Sequence, residues 1–507
     1  MIAYISEKQL SISEFKTPFK ADLLPDNRWV ELASIVPWDT FAGLYISLMN
    51  TTQGRPGISP RIILGALIIK HKENLSDEKT IQAIQENIYM QFFVGLEGFQ
   101  TDKIFDSSLF VTIRKRIGKA EFDLLNAKLI KSLSYKKDVQ NNSKKKADKI
   151  DPPNKGKLQA DATVADQYIT FPTDAKLLNS SRKKLDEMID KVYHYHCKYG
   201  VKPRTYKRTL NTAFLNYSKK KNKGKAAHRK MKRKLLESVN RNLHFIKKML
   251  PKAAILEMGK DYPLTKKYLA LIKIIEQVYL QQKQMYDENI NTCKERIVSI
   301  YQPHVRPILR GKQNARVEFG AKLGVSLDNG FALLNHLSWD AYHEGKDLRN
   351  QVEEYHRIHG HYPDLVQVDK AYSTRENRKW LKEKNIRITA PQLGRKPKKE
   401  VNQYQKAKRK KEAAERNHIE AKFGQGKNGY NLNKIRAKLK ATSESWVSCI
   451  FFVMNLINYQ KKSSFGTIFY QLLSELISLI KETAKLNFHF TSLQSILSKK
   501  TTFRCAN

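Results

Sequence analysis

The chain has 507 residues, 41% of them hydrophobic and 28% charged, which is globular composition spread over about two to four domains. Ninety-three Lys and Arg against 49 Asp and Glu leave a formal net charge of +44. That excess goes beyond what solubility needs and favours a polyanionic partner, nucleic acid ahead of an anionic membrane surface, since no strongly amphipathic basic helix stands out.

The longest apolar runs, "IILGALII" and "CIFFVM", are far too short to span a bilayer, and "MIAYISEKQLSISEF" has neither the basic start nor the apolar centre of a secretory leader. Cys197, Cys293, Cys449 and Cys505 show no CxxC spacing, which argues against a disulfide framework or structural zinc and for a reducing, cytoplasmic setting. "HYHC" (His194, His196, Cys197) sits among lysines without a second ligand cluster, so metal binding there is disfavoured.

Residues 1–135 read as short helices. "SPRIILGALIIKHKENL" opens with Ser59 as cap and Pro60 at the first helical position. In "SDEKTIQAIQENIYMQFFVGL", Ile81, Ile84, Ile88 and Phe92 recur at helical spacing. "DSSLFVTIRKRIGKAEFDLLNAKLIKSL" predicts a helix carrying Arg114, Lys115 and Arg116, ended by Gly118. Short helices with one basic member suit a helix-turn-helix-like DNA reader, and suit an ordinary bundle with a solvated edge about equally. Residues 136–157 are polar with a Pro pair and read as a linker. "LQADATVADQYITFP" then supplies β-branched Thr163, Val164, Ile169 and Thr170 for a strand that carries Asp161.

Between Arg182 and Lys248 stand 22 Lys plus Arg and four Asp plus Glu, with tyrosines interleaved. So one-sided a run favours a nucleic-acid surface over a merely solvated helical hairpin. Further on, "VEFGAKLGVSLDNGFALLNHLSWD" brackets Asn329-Gly330, a tight-hairpin signal because both residues accept positive φ. "DLRNQVEEYHRIHG" predicts a helix closed by Gly360. "DLVQVD", "TRENRKWLKEKN" and "IRITA" predict strand, helix and strand, a parallel α/β unit. "KKEAAERNHIEAKFGQGK" and "SESWVSCIFFVMNLINYQKK" predict two more helices, the second apolar enough to pack on the sheet.

Three acids stand out from this frame. Asp369 ends a buried strand at the carboxyl edge of a parallel unit, where open α/β sheets keep their sites. Asp161 lies on another strand. Glu420 lies on a helix whose Arg416 and Lys427, four residues before and seven after, share its face. Carboxylates from three elements suit a pair of hard divalent cations, Mg²⁺ above all, roughly 4 Å apart for in-line phosphoryl displacement. Arg416 and Lys427 would hold strand phosphates. Taken singly, each acid is more often a turn, cap or ion-pair residue than a ligand.

"LQADATVADQYITFPTDAKLLN", "VEFGAKLGVSLDNGF", "VQVDKAYSTRENRKWLKEKNIRI" and "RNHIEAKFGQGK" are similar, in order, to the blocks of DDE transposases of bacterial insertion sequences. The chain most resembles the group with a Tyr-Arg-Glu-Lys signature around the last acid. The resemblance implies an α/β, RNase H-like mixed sheet with flanking helices, an N-terminal helical DNA-binding domain and a basic helical insertion. It implies Asp161, Asp369 and Glu420 as catalytic acids and ligands of two Mg²⁺ ions, with Mn²⁺ as substitute. Asp161 is preferred over Asp166 and Asp174 because the matching block begins "DATV". Arg416 and Lys427 keep the signature spacing, whereas Ala413 stands where the tyrosine belongs. Lys370, Arg114, Lys115 and Arg116 are the further expected DNA contacts.

The expected divisions are 1–135, the linker 136–157, a catalytic domain of 158–180 with 301–461, the insertion 181–300 and a C-terminal helical tail, 462–507. The implied activity is DNA cleavage at element ends and strand transfer into target DNA by a homo-oligomer on double-stranded DNA. The alternatives are an RNase H-like nuclease that never joins, and an inactive DNA-binding remnant.

Overall fold

A computed structural model describes residues 15–16, 22–49, 57–141, 153–196, 201–250, 264–309, 317–390, 394 and 403–462. Residues 142–152 of the expected linker, Cys197, and the expected tail beyond residue 462 lie outside the described residues.

Among the described residues seven helices come first: α1 (Arg28–Ile35), α2 (Trp38–Ser47), α3 (Pro60–Lys72), α4 (Asp77–Glu86), α5 (Ile88–Phe93), α6 (Leu109–Arg116) and α7 (Lys119–Asn141). The single helix expected from residue 76 to about 94 is two. Asn87 stops α4 and turns its side chain to cap α5, accepting from the Tyr89 and Met90 N–H groups at 3.0 Å. Ser76 caps α4 through the Lys79 N–H (3.2 Å), while Ser59 sits before α3 without a side-chain cap bond.

The sheet has six strands: β1 (Lys157–Asp166), β2 (Arg306–Leu309), β3 (Val317–Asp328), β4 (Phe331–Ser338), β5 (Leu365–Gln367) and β6 (Arg387–Ile388). Their order is β2-β3-β1-β5-β6, and β4 also pairs with β3. β1 runs antiparallel to β3 and parallel to β5, and β5 is parallel to β6, so the sheet is mixed. The β3–β4 turn falls on Asn329 (φ 48°) and Gly330 (φ 82°), the double positive φ that the Asn-Gly pair signalled. Ile169 and Thr170 lie outside β1, because the chain leaves the sheet at Asp166 for an isolated bridge from Gln167 to Ile435. β2 runs through "RPIL" at the sheet edge, where Pro307 leaves no interior ladder donor missing.

Between β1 and β2 come α8 (Asp174–His196), α9 (Lys207–Lys219), α10 (Lys225–Met249) and α11 (Lys266–Asp287). Leu185, Val192, Leu235, Val239, Ile275 and Val278 close a separate apolar cluster among them. α9 contributes no buried residue. The remaining helices are α12 (Leu348–His359), α13 (Arg375–Glu383), α14 (Gln403–Gly429) and α15 over 440–462. Gly360 closes α12 at φ 76°, and Thr374 caps α13 through the Asn377 N–H at 3.1 Å.

The two faces of the sheet bury different cores. Alternation places Leu158 and Ala160 against Leu348, Val352 and Tyr355 of α12. On the opposite face Leu323, Val325 and Leu327 of β3 join Ile419 and Phe423 of α14 and the apolar side of α15. That second core continues into Trp29, Phe41, Phe93, Phe110 and Phe122 of the first seven helices. The N-terminal helices and the sheet therefore share one interior.

Candidate active site

Asp161 is paired with Val325, so it shares its face with Gln159 and Thr163, the face that α14 crosses. Gln159 fixes that crossing, donating to the Glu415 carbonyl (2.7 Å) and to the Gln367 side chain (2.8 Å). Gly426 permits close approach of the helices: a Cβ there would stand 3.2 Å from Leu432 and 3.4 Å from Met454. The helix runs on past Gly424 and Gly426, so Lys427 stays on its expected face.

The parallel register that sets Lys157 beside Leu365 and Gln159 beside Gln367, continued two residues, sets Asp161 level with Asp369. β5 has ended by then, and Asp369 turns into a short 3₁₀ segment, Lys370–Tyr372, accepting from the Ala371 N–H at 2.7 Å. The strand expected over "DLVQVD" is thus three residues long, with Asp369 just beyond its carboxyl end.

Burial pushes the Asp161 carboxyl up from an ordinary 3.8 to about 6. The charges of Glu344 and Asp369 push the same way, and the Ala162 N–H and Arg416 push back. Asp161 therefore resides among acids, in a place that favours added positive charge. Arg416 supplies some of it. Its guanidinium lies 3.9 Å from the Asp161 carboxylate and 3.0 Å from that of Glu420. Glu420 itself is 55% exposed and meets Asp161 only through this arginine. Lys427 pairs with Glu318 of β3 at 3.5 Å, and Lys370 is exposed beside Asp369. Ala413, at the signature tyrosine position, is exposed.

The structure thus brings Asp161 and Asp369 to one edge, with Arg416 joining Asp161 to Glu420. Among the described residues, no three carboxylate, imidazole or thiol groups stand together closely enough to enclose a metal ion. Glu344, which no sequence pattern marked, belongs to this acidic edge. It lies on a 3₁₀ turn, Glu344–Asp347, packed on Lys370–Tyr372, and pairs with Lys322 at 3.0 Å. Asp174, a rival first acid, is engaged elsewhere by Lys232 (3.0 Å) and Arg296 (2.7 Å).

The basic residues of α6 divide. Arg114 is 5% exposed and forks onto Asp77 with bonds of 3.0 and 2.7 Å, its guanidinium 5.0 Å from the Trp446 ring of α15. Lys70 joins the same carboxylate at 2.8 Å. Arg114 is therefore turned inward and ties the N-terminal helices to α15, while Lys115 and Arg116 remain on the surface. No described helix is long and apolar enough to cross a membrane.

Two family models match the chain. Residues 366–457 match the "Transposase DDE domain", and residues 18–116 match the "Transposase domain (DUF772)". The first spans Asp369, Arg416, Glu420 and Lys427, and the second spans α1 to α6. A curated relative, the uncharacterized protein ORF8 in the nfe locus of Rhizobium meliloti, is 31% identical over 167 residues, 32% of this chain and 73% of that protein. No solved structure matches. The acids at the sheet edge and the two matched segments agree, and the chain belongs to the DDE transposases of insertion sequences.

Proposed function

We propose that this protein binds the terminal inverted repeats of its element, cuts the DNA there and joins the freed 3′-hydroxyls to target DNA, with Asp161, Asp369 and Glu420 as its catalytic acids. One observation carries the reading. The parallel register of β1 and β5, continued past the end of β5, sets Asp161 level with Asp369, and Arg416 links Asp161 to Glu420 across the helix that covers that face. The strand order, with a long antiparallel strand between the hairpin partner and β1 and two parallel strands beyond, supports an RNase H-like catalytic sheet.

The donor chemistry fits divalent cations: three carboxylates offer hard oxygen donors, and burial, helped by the acidic neighbours Glu344 and Asp369, holds the Asp161 carboxyl up near 6. Asp161 and Asp369 would hold Mg²⁺ from the strand side and Glu420 from the helix side. When bound, such ions stabilise the attacking and leaving oxygens of phosphoryl transfer. Arg416, displaced from its two carboxylates, is placed to fork onto a strand phosphate beside them. Lys427 and Lys370 stand ready to neutralise the adjoining backbone. The first seven helices, with Lys115 and Arg116 on their surface, and the exposed basic face of α9 are the proposed duplex-holding regions.

A cell-free assay with DNA carrying the element's ends and Mg²⁺ tests this. Nicked ends and strand-transfer products are expected from the wild type and neither from Asp369→Ala. Unchanged cleavage by that variant refutes the assignment, and cleavage without joining identifies a nuclease instead.

A further inference from the structure

The helix that carries Glu420 has a second functional flank. Around α14, Arg416, Glu420 and Lys427 cluster within about 40° of one another, whereas His418, Lys422 and Gln425 fall on the opposite flank, with Ile419 and Gly426 turned inward between them. This second flank opens on a cavity of about 910 Å³, closed by the Asn329-Gly330 turn, the start of β1 and the end of α15. It lies across the width of a helix, about 10–12 Å, from the acids.

The lining holds two unmet donors, Lys422 and Asn458, beside one unmet acceptor, the Gln159 Oε1. Lys422 is half-buried and makes no hydrogen bond or ion pair with any other described residue. The Nδ2 of Asn458, also in the lining, is buried without an acceptor. The carboxylate at hand, Glu415, is already held by Lys157 at 2.7 Å and by Gln367 at 3.1 Å. Lys462 completes the wall, donating to the Asn329 carbonyl.

A buried donor without an acceptor and a half-buried ammonium among like charges are both costly unless an anionic acceptor visits. We propose that this cavity is a phosphate-binding site, centred on Lys422 and Asn458 and distinct from the catalytic edge. Its tetrahedral oxygens would take the Asn458 amide and the Lys422 ammonium together, with Lys462 and His418 at the rim. The phosphate belongs to a DNA backbone, outside the bond being cut, or to a free phosphate compound.

The full-length protein, held without divalent ions so that no cleavage occurs, distinguishes these sources and leaves the catalytic reading untouched. Pyrophosphate is titrated by calorimetry, and an end-containing duplex by fluorescence anisotropy over a range of salt. Lys422→Met and, independently, Asn458→Asp are compared with wild type, and thermal melts confirm folding. A backbone phosphate predicts that both variants weaken duplex binding severalfold and lower the slope of log affinity against log salt by about one. A free phosphate compound predicts at least tenfold weaker pyrophosphate binding with duplex binding unchanged. Unaltered affinity for both ligands in a folded variant overturns the proposal.

Discussion

Replacing Asp161 with asparagine removes a charge that the folded chain holds at a cost. The carboxyl is raised from 3.8 to about 6, so between those values the folded state keeps a proton that the unfolded chain has lost. Stability supplied by that proton is complete below about pH 4 and is gone once the pH passes about 6. The gap of about two units corresponds to about 3 kcal/mol. The side chain is 17% exposed and Arg416 is near, so a net effect of about 1–2 kcal/mol is expected. Asp161→Asn should therefore unfold at higher urea than wild type at about pH 8, in the absence of divalent ions, and match it near pH 4. Added Mg²⁺ should narrow the difference at pH 8 by stabilising the wild type more than the variant. Tryptophan fluorescence follows both transitions. A variant less stable than wild type at pH 8, or equal Mg²⁺ stabilisation of the two, refutes the placement of Asp161 among acids that demand a cation.

Other substitutions probe the frame around the site. Asp77→Ala strands Lys70 and Arg114 as buried cations and should lower unfolding free energy by about 3–5 kcal/mol in urea titrations. Gly320→Ala drives a Cβ into the Ala165 carbonyl between β1 and β3, and a loss of about 1–3 kcal/mol is expected in the same measurement. Glu420→Gln removes a mostly exposed partner of Arg416, so its melting temperature should stay near that of wild type while DNA cleavage is abolished.

What the sequence made legible was local. The Asn-Gly turn and the αL closure at Gly360 depend on neighbours within a few residues and fall where their residue types place them, whereas Ser59 precedes its helix without making a side-chain cap bond. The acids were legible as positions in an order of blocks. Their geometry was not, because the alignment of Asp161 with Asp369 depends on a strand register more than 200 residues apart in sequence. Arg114 resembled a surface cation because its partner Asp77 lies 37 residues away on another helix. β2 escaped notice because a proline in a short run reads against a strand, and only the sheet shows that it is an edge. Glu344 had no periodic context at all, being carried on a turn that only the tertiary fold brings to Lys370–Tyr372.

The pairing of β3 has an evolutionary corollary. Gly320 lies opposite Asp166 on one side and Arg306 on the other, so the chain departs from and returns to the sheet on either flank of a single residue, about 10 Å apart. The described helices α8 to α11 lie between those two anchors. Three of the helices there, α8, α10 and α11, close an interior of their own. Such an arrangement works like a socket: helices can be lengthened, trimmed or exchanged without disturbing strand register. Divergence among insertion-sequence proteins of this kind should gather in that excursion, leaving the neighbouring strands almost unchanged.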